Sequence, residues 1–416
     1  MQTELYLDTA RLGRMCRTAR RAELDFTKLV SQSGSSLYLE RFLADGFQAL
    51  NTAKQNRFSS LRHWTGIGGL QKDVSTALGQ PAAFSEQIFS QSRCVAQLAS
   101  ECICNTAKRV LVTDLAWPSY IKTLRARAIR TSVEVHACRL KPLLRQNASS
   151  DDVLRCLTDS FSTLGCDAAF LSDISYQGIR LPIRKFRRAI GEEHAFVVDG
   201  SQAVGHAPVD LTRMNCDMYI TGVQKWIGGF HPLRIATFGN PEFARLGMSA
   251  TETMGDPLNQ FCRSLRSQTF DSLGETVSIL PLLTAAAAFR EHVRSGKTSR
   301  NRKWQIRLDN SKWLVDFLGD DQWQTSTGLG LESGIVLLRP KRPATNVSTL
   351  RKRLASFGVV ATTYEDGSIR MAMPSFHLSL QQMTTVFRAL NLTRQSTSYP
   401  PPSRKPRIQS IENIAP

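Results

Sequence analysis

Ala195-Phe-Val-Val-Asp-Gly-Ser-Gln-Ala-Val-Gly-His206, followed after Cys216-Asp217 by Met218-Tyr-Ile-Thr-Gly-Val-Gln-Lys-Trp226, decides the fold of this chain. The run from Ala195 to Val198 is uniformly apolar and stops on Asp199, the pattern of a strand buried on both faces. A second short run, Met218 to Ile220, stops on Thr221-Gly222 and delivers Lys225 four residues past Thr221. Carboxylates and lysines are seldom buried, so two strands that each end on one predict a shared site. In open α/β sheets such sites lie just outside the carboxyl ends of the strands.

One chemistry needs both residues there. A lysine forms an imine with an aldehyde, and an acid keeps a pyridine nitrogen protonated; these are the protein partners of pyridoxal phosphate. The motif as a whole, Asp199-Gly-Ser-Gln202-Ala-Val-Gly-His206, then Cys216-Asp217, then Thr221-Gly-Val-Gln-Lys225-Trp226, resembles the class V aminotransferases of pyridoxal-phosphate fold type I. The resemblance implies that Lys225 carries the cofactor, Asp199 pairs with the pyridine nitrogen and Gln202 with the phenolic oxygen. Thr221 and Gln224 fall in the same register as cofactor-binding positions. Gln224 stands where the family often has a histidine before the lysine. Gly228-Gly-Phe-His-Pro232 replaces its usual Gly-Pro-Lys-Gly turn. Both departures fall close to the substrate, so they bear on the reaction more than on the cofactor.

Outward from this stretch, helices and strands alternate. Helices are expected over Phe84–Ile103, Ser119–Ile129, Asp151–Leu164 and Ile183–Glu193. Strands are expected over Val110–Thr113, Val133–Ala137 and Ala168–Leu171. This predicts an α/β protein with a mostly parallel, doubly wound sheet in its large domain. Further candidates fall in the loops. Ser90-Gln91-Ser92 lies where the family binds the cofactor phosphate, and small hydroxyls with free amides at a helix start suit a dianion. Trp117, before Pro118-Ser119, takes the place of the family's histidine stacked on the cofactor ring; as a core tryptophan it would serve packing alone. Ser175 or Tyr176, in Ser172-Asp-Ile-Ser-Tyr-Gln-Gly178, approaches the ring by the same resemblance.

The other end of the chain completes the expected site. Leu273-Gly-Glu-Thr276 resembles the Gly-Thr that reaches the cofactor phosphate of a neighbouring subunit, which implies a homodimer; Thr276 reads equally as a residue near a helix start. Ile279–Phe289 predicts an apolar helix, and beyond residue 290 the pattern changes to a smaller α+β domain with a helix over Lys303–Leu318. There Gly367-Ser-Ile-Arg370-Met-Ala372 resembles the strand whose arginine grips a substrate α-carboxylate, a fork geometry suited to guanidinium. The expected organisation is an N-terminal segment over 1–45 against the small domain and active site, and a cofactor-binding domain over 46–289. The small domain follows over 290–393, then a polar, proline-rich tail over 394–416 read as disordered. Residues 37–60 read as helical, and Gly66-Ile-Gly-Gly69 as a turn or a phosphate cradle.

Composition narrows the function. Hydrophobic content of 42% with 21% charged residues is that of a soluble globular protein, and no apolar block is long enough for a membrane span. Nine scattered cysteines and seven histidines show neither disulfide nor metal spacing, so the reading is no metal and a reducing cytosol. The net charge of +18 gathers in clusters with few interleaved aromatics, which favours a solvated basic surface over nucleic acid. The activity implied is a pyridoxal-phosphate enzyme acting on an amino acid, an aminotransferase first. A β-lyase, an epimerase or a binder without turnover are the alternatives. A cysteine desulfurase is disfavoured, because the last cysteine is Cys262 and the small domain has none.

Overall fold

The structure is a computed structural model that describes residues 4–32, 39–80, 86–90, 92–267, 276–319, 322–325, 328–341 and 346–391. Gln91, Gly274, Glu275 and the whole of the expected tail lie outside the described residues.

Thirteen strands occur among the described residues. They are β1 (Leu5–Tyr6), β2 (Gln87–Ser90), β3 (Arg109–Thr113), β4 (Glu134–Cys138), β5 (Ala168–Ser172), β6 (Ala195–Asp199) and β7 (Met218–Gly222). The rest are β8 (Arg234–Phe238), β9 (Trp323–Gln324), β10 (Ile335–Pro340), β11 (Val359–Val360), β12 (Thr362–Thr363) and β13 (Ile369–Ala372). Seven of them form the central sheet in the order β2-β8-β7-β6-β5-β3-β4. All run parallel except β8, which is antiparallel to both β7 and β2.

The apolar runs of β5 to β8 follow from burial on both faces. Ala168, Phe170, Val197 and Ile220 enter the core on one side, with the helix Ser92–Thr106. Ala169, Leu171, Phe196 and Val198 enter the other, with Ile183–Ile190 and Leu280–Arg294. Helix starts are set by local chemistry. Ser149 and Asp152 form a reciprocal capping box before Ser150–Thr163, and Pro118 opens Pro118–Thr131 at a position with no hydrogen bond to lose. The alanine-rich helix Leu280–Arg294 is buried from Leu282 to Phe289 and packs on Arg17–Ser31 and Gly66–Ala77.

The small domain is the antiparallel sheet β12-β13-β10-β9, with its own core of Val336, Leu338, Ile369, Met371 and the helix Leu380–Leu390. The chain's first strand does not join the central sheet. β1 pairs in parallel with β11, and the segment then runs back so that the Gly13 amide donates to the Gln224 carbonyl at 2.8 Å.

Several expectations are corrected. The helix read over Phe84–Ile103 begins at Ser92; Gln87–Ser90 is a strand, with Ile88 and Phe89 pointing into opposite cores, a period of two that a helix cannot produce. The helix read over 37–60 is broken into short pieces at Gly46, whose φ of +84° is left-handed and whose Cβ, if present, would sit 2.6 Å from Thr65 Cα. The helix begun at Ile183 stops at Gly191, again at positive φ. Gly66 opens the helix Gly66–Ala77 rather than a phosphate loop. Among the described residues no helix is long and apolar enough to cross a membrane.

Candidate active site

Parallel pairing of β6 with β7 places Asp199 opposite Ile220, so the two strand ends open side by side at one edge of the sheet. Asp199 is buried, and its Oδ1 accepts the Ser201 amide at 3.0 Å, which turns the chain sharply. Beyond β7 the chain turns through Gly222, Val223 and Gln224 to Lys225, which is half-buried and has no side-chain hydrogen bond among the described residues. Burial lowers the Lys225 pKa to about 7; Arg234 pushes the same way, Asp199 opposes, and Arg370 adds to the lowering. An amine so placed is a nucleophile and a base near neutral pH.

These side chains share a cavity of about 280 Å³ with Trp117, Tyr176, Arg234 and Arg370. Trp117 ends the loop after β3 and meets Tyr176 edge-on, ring centroids 5.3 Å apart. Arg370 comes from β13 of the small domain. Its Nη1 donates to the Tyr176 carbonyl at 3.4 Å and its Nη2 to Thr362 Oγ1 at 3.2 Å, while Asp8 of the N-terminal segment lies 3.9 Å away. Its Nε has no partner among the described residues. Gln202 borders the cavity in a fixed orientation: Nε2 donates to the Ala10 carbonyl and Oε1 accepts from Trp226 Nε1, both at 2.8 Å. Trp226 is stacked at 3.8 Å on His206, which donates from Nδ1 to the Gln202 carbonyl and accepts the Gly334 amide at Nε2. Burial holds that imidazole neutral, so it acts as a spacer between the domains.

The sequence reading missed Arg234. It opens β8 at the cavity, buried, with Nη1 donating to Ser201 Oγ at 2.6 Å. Its register partners are Gly222 on β7 and Ser90 on β2, so three strands converge there with the start of the helix Ser92–Thr106. A Cβ on Gly222 would lie 2.5 Å from Arg234 Nη1, so the missing side chain is what leaves room for the guanidinium. An arginine at the head of a five-residue strand was the available signal, but its partners are set by strand pairing rather than by spacing.

The remaining expected residues sit in local settings of their own. Ser90 ends β2 with its hydroxyl bonded to Asp256, and the following helix begins at Ser92. Ser175 faces into its own turn, its hydroxyl accepting the amides of Gln177 and Ile179 at 3.2 and 3.1 Å. Thr221 is buried on β7 and Gln224 borders the cavity; among the described residues Thr221 Oγ1 and Gln224 Oε1 have no partner. Thr276 is exposed ahead of the helix Leu280–Arg294.

The cavity therefore joins a neutral amine, a carboxylate and two guanidiniums, a set suited to an anionic carbonyl compound and a carboxylate substrate. Residues 91–230 match the family described as aminotransferase class-V. A comparison of the sequence with curated proteins gives no match. Among solved structures, the chain is similar to ureidoglycine–glyoxylate aminotransferase from Bacillus subtilis (12% identity, TM-score 0.66, covering 94% of this chain and 92% of that one). It is similar as well to the cystine C–S lyase C-DES in complex with cysteine persulfide (16%, 0.67, 93% and 98%). A third is the cysteine desulfurase from Thermococcus onnurineus (13%, 0.64, 92% and 93%). Residues 91–230 thus match the aminotransferase class-V family model, and the chain as a whole shares the α/β fold of these solved structures.

Proposed function

We propose that the protein is a pyridoxal-phosphate-dependent enzyme acting on an amino acid, with amino-group transfer as its reaction. The observation that carries this reading is the meeting of Lys225 and Asp199 from adjacent parallel strands in one cavity, between an arginine from each domain. The residues fit the cofactor. Gln224 Oε1 and Arg370 Nε, buried and without partners among the described residues, belong to side chains bordering a space that a small polar molecule would fill. Arg234, with the amides at the start of Ser92–Thr106, suits the phosphate; Asp199 suits the pyridine nitrogen, Trp117 the ring face, and Lys225 the aldehyde.

When bound, pyridoxal phosphate supplies an electron sink for a bond broken at the substrate Cα. The chain's own residues do the rest. Arg370 holds the substrate carboxylate by its planar fork and so fixes which Cα bond faces the ring. Lys225, neutral above about pH 7, takes and returns a proton at Cα through Nζ. Asp199 holds the proton on the ring nitrogen by its nearby negative charge.

The same residues serve an elimination at Cβ, and the likeness to a C–S lyase makes that the second reading. Desulfuration is disfavoured: Cys262, the last cysteine, sits inside the helix Pro257–Ser267, buried, with its thiol pushed up to about 12 by burial. All nine cysteines are free thiols, which supports a reducing, cytosolic home.

The test is covalent capture. Borohydride reduction of the cofactor-loaded protein, followed by peptide mapping, is expected to place the label on Lys225; a label on another lysine, or none, overturns the assignment. Amino transfer that requires a keto-acid acceptor identifies the first reaction, and ammonia released without an acceptor identifies the second.

A further inference from the structure

Lys225 also borders a second cavity, of about 350 Å³, walled by the N-terminal segment, the turn Trp226–Gly228 and the junction of the helices Leu280–Arg294 and Gly296–Leu318. Its notable wall is one face of the last of these. Arg300, Lys303 and Arg307 recur there at helical spacing, and none has a carboxylate within ion-pair distance among the described residues. Arg307 is 7% exposed; its Nη1 donates to the His206 carbonyl at 2.8 Å, its guanidinium lies 5.2 Å from the Trp226 ring, and its Nε is buried with no partner among the described residues. Among the described residues Arg300 reaches only the His292 carbonyl, at 3.4 Å.

The acids that border the cavity are otherwise engaged. Glu4 pairs with Arg14 at 3.6 Å, and Glu291 accepts the Thr18 hydroxyl. His292 responds to the excess charge. Burial first, and then Arg300, Lys303 and Arg307, lower its pKa to about 4, so the imidazole adds no proton to a site already cationic. A buried guanidinium left without an acid is costly, and helical neighbours of like charge repel. A fold that concentrates two guanidiniums and an ammonium group on one cavity gains from an anion placed among them.

We propose that this second cavity binds a small dianion, bearing two carboxylates or a phosphate group, at Arg300, Lys303 and Arg307. Arg300, Lys303 and Arg307 do not line the Asp199–Arg370 cavity, which shares Lys225 with this one, and the proposal does not rest on the reaction assigned there. Arg307 supplies the buried fork, Arg300 a half-buried second contact, and Lys303 an exposed charge that draws the ligand in.

The experiment uses the full chain saturated with pyridoxal phosphate, so that a phosphate subsite beside Arg234 is already filled. Calorimetric titration with succinate and with inorganic phosphate, at matched ionic strength, is expected to show one saturable site per chain for at least one probe. The probe that binds distinguishes a dicarboxylate from a phosphoryl ligand. The double variant Arg300→Gln/Lys303→Gln alters partly exposed positions, so its thermal midpoint without ligand stays near the parent's while binding weakens at least about tenfold. Arg370→Gln leaves the binding unchanged. Absence of binding by both probes at millimolar concentration overturns the proposal. So does binding that survives in the double variant, or that disappears in Arg370→Gln instead.

Discussion

Lys225 concentrates the chemistry in one amine, and its environment has a measurable consequence without any cofactor. Its pKa falls from 10.5 to about 7, chiefly by burial. Between those two values the unfolded chain binds a proton that the folded chain does not, so folding stability rises with pH across that window. Below about pH 7 both states are protonated and the cost of the buried charge is fully present; above 10.5 it has vanished. Thermal unfolding of the cofactor-free protein is therefore expected to show Lys225→Met above the parent at pH 6, with the gap closing as pH rises toward 10. A gap that stays constant over that range would mean that Lys225 titrates normally. The same shift leaves the amine neutral at the pH where a nucleophile is needed.

The junction of β7, β8 and β2 shows how an element builds a site that no single segment contains. Register sets Arg234 opposite both Gly222 and Ser90, and the absent side chain at Gly222 keeps the guanidinium in place. Gly222→Ala puts a methyl group into the space of Arg234 Nη1, with Gln224 Oε1 only 3.0 Å from it. The variant is expected to fold and to bind pyridoxal phosphate about tenfold more weakly by absorbance titration, the scale of one charge-assisted hydrogen bond; unchanged affinity would remove Arg234 from the phosphate site. This junction also marks where sequence reading stops. β6 and β7 are legible because strands buried on both faces are continuous apolar runs, and Asp199 and Lys225 stand out because such residues seldom end them. The antiparallel β8 and the partnership of Arg234 are not legible, since strand pairing joins residues that sequence spacing does not relate. The strand at Gln87–Ser90 was hidden for a different reason: four residues beside a helix of fifteen are absorbed by the longer apolar pattern. The helix Arg17–Ser31 was hidden by its charge, although Ala19, Ala22, Phe26 and Leu29 keep helical spacing beneath it.

At the scale of the molecule we expect a symmetric pair. The motive is the Gly274-Glu275-Thr276 resemblance, with Thr276 exposed at the approach to the helix Leu280–Arg294 and Phe230 exposed just past the Lys225 turn. Sedimentation equilibrium is expected to give twice the chain mass of 46.4 kDa, and a fully active monomer refutes it. The strap formed by the first residues has a consequence in time. Leu5 and Tyr6 find their strand partners only at Val359 and Val360, yet Ala10 and Gly13 brace Gln202 and the Lys225 turn. On the ribosome Leu5 and Tyr6 must wait, unpaired, until Val359 and Val360 have emerged, because a contact of such long range forms late. The central sheet can assemble in the meantime, but the amine at its edge gains its cover only after Val359 and Val360 have been made, so more than three hundred residues are added while the reactive centre is still open.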